Sequence, residues 1–211
     1  LSAQFLSAPR HGLPGTLHER YTRLDAILKQ PVFKRELFSD PVIIESVESL
    51  YLQHQYLCRV RSRDGHEGIS VSNATQMAAL YPIFVKRLAP FFIGKDARDI
   101  ESLIPAATVY ESNYKMQSLA IWVPMATIEF AILDMFGKMA NRSIGLLIGD
   151  KIYNPAISVY QANGERDNSA EEVIEHLKRD VAISHAKAIK FKLGGRMSHP
   201  EYPPGRSEKL I

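Results

Sequence analysis

Lys190 and Lys192 are the residues whose type and spacing most directly suggest chemistry. They lie in Ala188-Ile189-Lys190-Phe191-Lys192-Leu193-Gly194-Gly195, a stretch that alternates strictly. As a strand it puts both ammonium groups on one face and Ile189, Phe191 and Leu193 on the other. Residues two apart on one face stand roughly 6.5–7 Å apart, near enough to couple electrostatically and far enough to do different jobs. In a β/α barrel, the face turned away from the helices points to a centre normally packed with branched apolar side chains. Ammonium groups crowded into low dielectric repel each other and resist ionisation, the condition under which a lysine becomes a usable general base. The plain alternative is an edge strand that keeps both lysines in water as protection against aggregation. A barrel lysine could also form a Schiff base with a carbonyl substrate, as in an aldolase.

Other chemistry-bearing residues carry less. His54, Cys58 and His66 have no fourth ligand and no finger-like spacing for a metal. Gly194-Gly195 reads as a plain loop exit, and neither a G-x-G-x-x-G nor a Walker loop is present. Asp134 and Lys138, four apart, read as an ion pair along one helix. The single cysteine excludes an intrachain disulfide. A net charge of +3, from 26 basic and 23 acidic side chains without a dense basic run, gives no case for nucleic acid. No uninterrupted apolar run approaches the roughly 20 residues of a membrane span. The compartment stays open: cytoplasmic, or exported if Leu1–Pro9, which ends in small residues, is the tail of a signal peptide.

The elements that must position the lysines follow from periodicity. Thr16-x-x-Glu19 forms a capping box for a helix over residues 17–30, with Leu17, Tyr21, Leu24 and Leu28 as its apolar stripe and Pro31 as its stop. Residues 1–41 read as an N-terminal extension carrying this helix. Over 42–52, 56–62 and 67–71 the period is two, with a turn at Arg63-Asp64-Gly65-His66, giving a three-stranded antiparallel meander. Helices are expected over 76–88, stopped by Pro90, over 97–107, and over 125–140 with Pro124 in the first turn. After Asn154-Pro155 the grammar becomes β/α: a strand over 156–161, a helix over 171–187 behind a Ser169-x-x-Glu172 capping box, and the lysine strand over 188–193. Residues 198–206 form a Pro-rich loop, and Ser207-Glu208-Lys209 begins another helix. The fold class is therefore an α+β domain over 42–150, meander plus helical bundle, followed over 151–211 by the first two β/α units of an incomplete TIM-like barrel. A closed barrel takes about 250 residues, so the expectation is a chain that is part of a longer protein.

This order of elements resembles the enolase superfamily, in its mandelate racemase and muconate-lactonizing branch, over about residues 42–195. Arg59–Gly68 resembles the family's second and third strands with their Asp-Gly turn, and Ile93-Gly94-Lys95-Asp96 its Gly-x-Asp step. Leu133-Asp134-Met135-Phe136-Gly137-Lys138 resembles its Trp-Asp-x-x-Gly-Lys helix end, with Leu133 replacing the tryptophan, and Leu146–Gly149 its Leu-Leu-Gly approach to the barrel. The resemblance implies an N-terminal domain that caps the barrel, and a magnesium-dependent enzyme, a racemase, epimerase or dehydratase of a hydroxy or sugar acid. It removes the proton α to a carboxylate of a small substrate. Lys192 then corresponds to the general base, and Lys190 to the lysine that helps neutralise the carboxylate. The family's metal-ligating carboxylates sit on third, fourth and fifth barrel strands that have no counterpart here. The connection between the first two strands, Gln53–Tyr56, is shorter than the family's usual loop. A homo-oligomer is expected, with no nucleic-acid or membrane partner; a non-catalytic binding or structural homologue is the rival outside enzymes.

Overall fold

The period-two stretch forms β1 (Ile44–Leu52), β2 (Gln55–Ser62) and β3 (Glu67–Val71), paired antiparallel in that order. This computed structural model describes residues 15–111, 115–195 and 199–211. The possible signal-peptide tail at residues 1–9 lies outside them, as does Ser198. The β1–β2 turn is tighter than the sequence suggested. Only Gln53 and His54 separate the strands, at φ 47° and 62°, the doubly left-handed geometry that matches strand twist in a two-residue hairpin. One face of the sheet is buried through Val47, Cys58, Val60 and Ser70. Burial pushes the Cys58 thiol up to about 12, with Glu48 adding to the effect.

That face lies on α5 (Leu119–Ala140), the central helix. At Gly68 the two backbones approach so closely that an added Cβ would stand 2.5 Å from the Met135 nitrogen and closer still to the Ala131 carbonyl oxygen. Polar bonds fix the register of this seam. The Asp134 carboxylate accepts from the Ile69 N–H at 2.7 Å and pairs with Lys138 at 2.6 Å. Ser70 donates to the Thr127 carbonyl at 2.5 Å, and Thr127 donates to Ser72 at 3.0 Å. Among the described residues α5 is the one helix long and apolar enough to cross a membrane, yet 56% of its most apolar window is buried inside the fold.

The helices depart from expectation at prolines. The segment expected to stop at Pro90 continues: α2 (Ala74–Ile83) passes through a wide π-type turn at Phe84–Leu88 into α3 (Ala89–Phe92). A π turn relaxes the i to i−4 ladder, where the proline ring would otherwise clash and an N–H is missing. Helix α5 begins at Leu119, so Pro124 sits in its second turn rather than its first. A short 3-10 turn, Ala97–Asp99, leads into α4 (Ile100–Val109). Arg87, buried, caps the end of α4 by donating to the carbonyls of Tyr110 and Thr108 at 2.7 and 3.0 Å. Phe33 and Phe38, in the stretch read as an extension, are buried against Phe136 with ring centroids 4.8 and 4.4 Å away. Helix α1 (Leu17–Leu28) carries the expected reciprocal Thr16–Glu19 capping box, but none of its residues is buried. Helix α6 (Ile144–Ile148) follows α5.

The chain divides into two units, Leu1–Ile152 and Tyr153–Ile211. The second holds β4 (Gln161–Ala162), α7 (Ala170–Ser184), β5 (Ile189–Lys190) and α8 (Arg206–Leu210). β4 and β5 pair in parallel, Gln161 opposite Ile189 and Ala162 opposite Lys190. The expected strands at 156–161 and 188–193 are thus each cut to two residues, and the first is shifted by one. A pair of strands has no further neighbour to satisfy its outer backbone groups, so only the mutually bonded residues stay in ladder geometry. Helix α7 starts one residue earlier than the expected 171 and ends at Ser184 rather than 187, with Ser169 and Glu172 forming the expected reciprocal capping box.

Asp96 is the acid-sensitive joint of the first unit. It accepts from the N–H groups of Val42 and Arg98, both at 3.1 Å, and from the Arg98 guanidinium at 2.8 Å. Burial by itself would raise its pKa, but the bonds from Arg98 and Val42 outweigh that and hold it below the ordinary aspartate value. A depressed carboxylate contributes stability above its unfolded pKa and loses it as pH falls through the folded one. Asp96→Ala should therefore cost about 0.5–2 kcal/mol at neutral pH, as for a lost cap. In urea titrations the gap from wild type should shrink below pH about 3.9. Gly68→Ala should cost on the order of 1–3 kcal/mol or more through overpacking, read as a lower thermal midpoint; an unchanged midpoint would refute the close approach.

Candidate active site

Lys190 closes the short parallel ladder. Its carbonyl accepts from the Asn163 N–H at 2.8 Å, and the Gln161 N–H donates to the Ala188 carbonyl at 2.9 Å. The Lys190 ammonium is exposed, 3.4 Å from the Tyr160 hydroxyl and 5.4 Å from the Tyr160 ring centroid, an arrangement that combines a hydrogen bond with cation–π attraction. Lys192 lies two residues beyond, outside the two-residue strand, and is half-buried. Its ammonium has no side-chain partner among the described residues. Ile189 and Leu193, expected on a covered outer face, are exposed. Tyr160 is the neighbour that periodicity missed, although it sits in the alternating run Val159-Tyr160-Gln161 that leads into β4.

The backbone at Lys192 and just after it is held by two guanidinium groups that the sequence did not flag. Arg206, only 1% exposed, donates to three carbonyls: Lys192 at 3.0 Å, Glu165 at 2.8 Å and Asn168 at 2.7 Å. It thereby joins the exits of β4 and β5 to the start of α7. Arg166 donates through one nitrogen to the carbonyls of Leu193, Gly194 and Gly195 at 2.8, 3.0 and 2.8 Å. Planar guanidinium forks are suited to gathering several acceptors at once. Ser207 accepts from the Gly194 N–H at 2.7 Å, and its own hydroxyl and N–H donate to Glu201. The Gly194-Gly195 exit is consequently a fastened turn rather than a loose one.

A second polar cluster follows β4. The Glu165 carboxylate accepts from the side-chain amides of Asn163 at 3.2 Å and Asn168 at 3.0 Å, and His176 Nδ1 lies 3.1 Å away. These bonds, that from Asn163 first and that from His176 next, hold Glu165 below the usual carboxylate range. In a β/α unit this is the carboxyl end of the strand, where such folds place their chemistry. What the described residues lack is a metal cage: no group of three His, Cys, Asp or Glu side chains is placed to hold an ion. Cys58 is sealed in the core of the first unit, and His66 pairs with Asp64 at 3.4 Å. The described residues therefore offer no cage that fits a resident magnesium ion.

Comparison with known proteins places this architecture. A family model described as the mandelate racemase / muconate lactonizing enzyme N-terminal domain matches residues 32–149. A D-galactonate dehydratase family member from Paenibacillus sp. (strain JDR-2) is 32% identical over 120 residues, 56% of this chain and 27% of that protein. Another, from Enterococcus gallinarum (strain EG2), is 30% identical over 111 residues, 52% of this chain and 26% of its own. Among solved structures, a mandelate racemase/muconate lactonizing protein from Paracoccus denitrificans PD1222, complexed with magnesium, superimposes with a TM-score of 0.62 at 21% identity, covering 74% of this chain and 43% of that one. The chain thus spans about a quarter of the length of the curated relatives it matches and under half of this structural neighbour. Its meander and helices are the capping domain of that fold, and the chain belongs to the mandelate racemase / muconate lactonizing enzyme family of the enolase superfamily.

Proposed function

We propose that the whole protein removes the proton α to the carboxylate of a small hydroxy or sugar acid, as a racemase, epimerase or dehydratase. The observation that carries this reading is the Lys-x-Lys pair at the second β/α unit, directly after a capping domain of a family whose members include the racemase and dehydratase relatives above. Lys192 would take the proton. Its main chain is anchored by Arg206 and Arg166, so the side chain projects from a fixed base, and proximity of this kind is worth several kcal/mol of barrier when geometry is held. Lys190, steadied by the Tyr160 hydroxyl, would meet the substrate carboxylate as a positive partner. Magnesium dependence belongs to the same proposal, with ligands outside the described residues.

The test is solvent exchange. In D2O with a panel of sugar acids and hydroxy acids, the whole protein with magnesium should incorporate deuterium at the α-carbon of one class. Lys192→Met should slow that exchange by about 10²–10⁴-fold while leaving the thermal midpoint unchanged. Lys190→Met should raise the substrate concentration needed for half-saturation more than Lys192→Met does. An active Lys192→Met variant would overturn the assignment of the base. Trapping of a covalent adduct by borohydride would instead identify a Schiff-base lysine.

A further inference from the structure

Helix α1 and a groove on the same unit each lack what the other offers. The helix presents Leu17, Tyr21, Leu24 and Leu28 along one stripe, and all four are exposed, Leu17 at 66% and Leu28 at 72%. Twelve residues with a good cap still make only a marginal helix in water, so a sequence that keeps this stripe needs something to bury it. Arg20 and Arg23 lie on one flank of the stripe, and neither has a carboxylate partner among the described residues. The helix also stands outside residues 32–149, the part that matches the family model.

The groove is about 460 Å³ and is walled by Val32, Ile104, Phe130 and Ile148 with Glu101 and Glu129 at its edge. Phe130 and Ile148 are exposed there. Glu101 is already engaged by the Val32 N–H at 2.7 Å. Glu129 is different: it is half-buried, burial raises its pKa, and no cation faces it among the described residues. An apolar trough with an unneutralised carboxylate is complementary to an apolar helical stripe with arginines beside it. The chain's own groove does not hold the helix. The groove opens beside Val32, only a few residues past the end of α1, yet α1 contributes no residue to its lining and has none buried.

We infer that α1 of a second copy of this chain lies in the groove between α4, α5 and α6, with Arg20 or Arg23 beside Glu129. A two-fold pair makes this contact twice, each copy giving a helix and receiving one. The inference is independent of the lysine chemistry.

Its test is association and a directed cross-link. The chain should be a dimer by sedimentation equilibrium, and Leu24→Glu, at an exposed position, should make it monomeric while the far-ultraviolet circular dichroism keeps its folded signature, with the thermal midpoint losing its dependence on protein concentration. Glu129→Arg should weaken the dimer on the order of tenfold or more, and adding Arg20→Glu with Arg23→Glu should recover it. Chains carrying Tyr21→Cys, mixed with chains carrying Phe130→Cys, should form a mixed disulfide, with buried Cys58 not competing. Three results would overturn the inference. One is a monomeric wild type, which would leave the groove to another protein or to the rest of a longer chain. Another is a dimer that survives Leu24→Glu. The last is a disulfide that forms only when both cysteines are in one chain, which would put the helix in its own groove.

Discussion

The first unit depends on a missing side chain. At Gly68 strand β3 comes to rest on α5 at a distance no other residue permits, and that contact sets where the sheet and the helix meet. Once the backbones touch, the polar groups on either side are positioned to bond. Asp134 reaches the Ile69 N–H, and Ser70 reaches the Thr127 carbonyl. Those bonds would be strained or lost if the sheet rose by the width of a methyl group. Dispersion between closely packed surfaces falls quickly with separation, so the apolar contacts around Cys58, Val60, Ile128 and Ile132 depend on the same closeness. Asp134 thus has two partners, a backbone donor on the sheet and Lys138 on its own helix.

Much of this was legible because the relevant signals are local. Strict alternation marked the meander, and the Thr16 and Ser169 capping boxes marked two helix starts, the first at Leu17 and the second within one residue of Ala170. The Asp134–Lys138 pair followed from spacing alone. Prolines were misread because their effect is conditional. Pro90 ends a regular α-helix but not one that has just widened into a π turn, and Pro124 is tolerated inside α5 rather than at its start. The tight approach at Gly68 was not visible either, since a glycine in a strand says nothing about which distant backbone it meets.

The candidate site was half legible. Lys190 and Lys192 stood out by type and spacing, and Lys190 does lie in a parallel ladder behind a capped helix. Their surroundings did not stand out. Arg166 and Arg206 act through main-chain carbonyls scattered over the unit from Glu165 to Gly195, and carbonyls have no sequence signature. Arg206 in particular would be taken for a surface residue by type, because arginine is rarely buried unless its donors are satisfied. Here three carbonyls satisfy it. Strand length was overestimated because alternation reports which residues could pair, whereas the ladder extends only over the residues a partner strand meets, here two on each side.

The two-residue turn at Gln53 and His54 has a mechanical meaning. Strands β1 and β2 remain bonded to each other up to that turn, with Leu52 opposite Gln55, so the tip is a stiff ribbon with Leu50, Tyr51 and Leu52 on show. Parting the two strands of such a ribbon means breaking ladder bonds rather than turning a few free torsions. Wherever this fold presents its hairpin to another molecule, the two strands arrive together as one paired surface, with Leu50, Tyr51 and Leu52 at its tip.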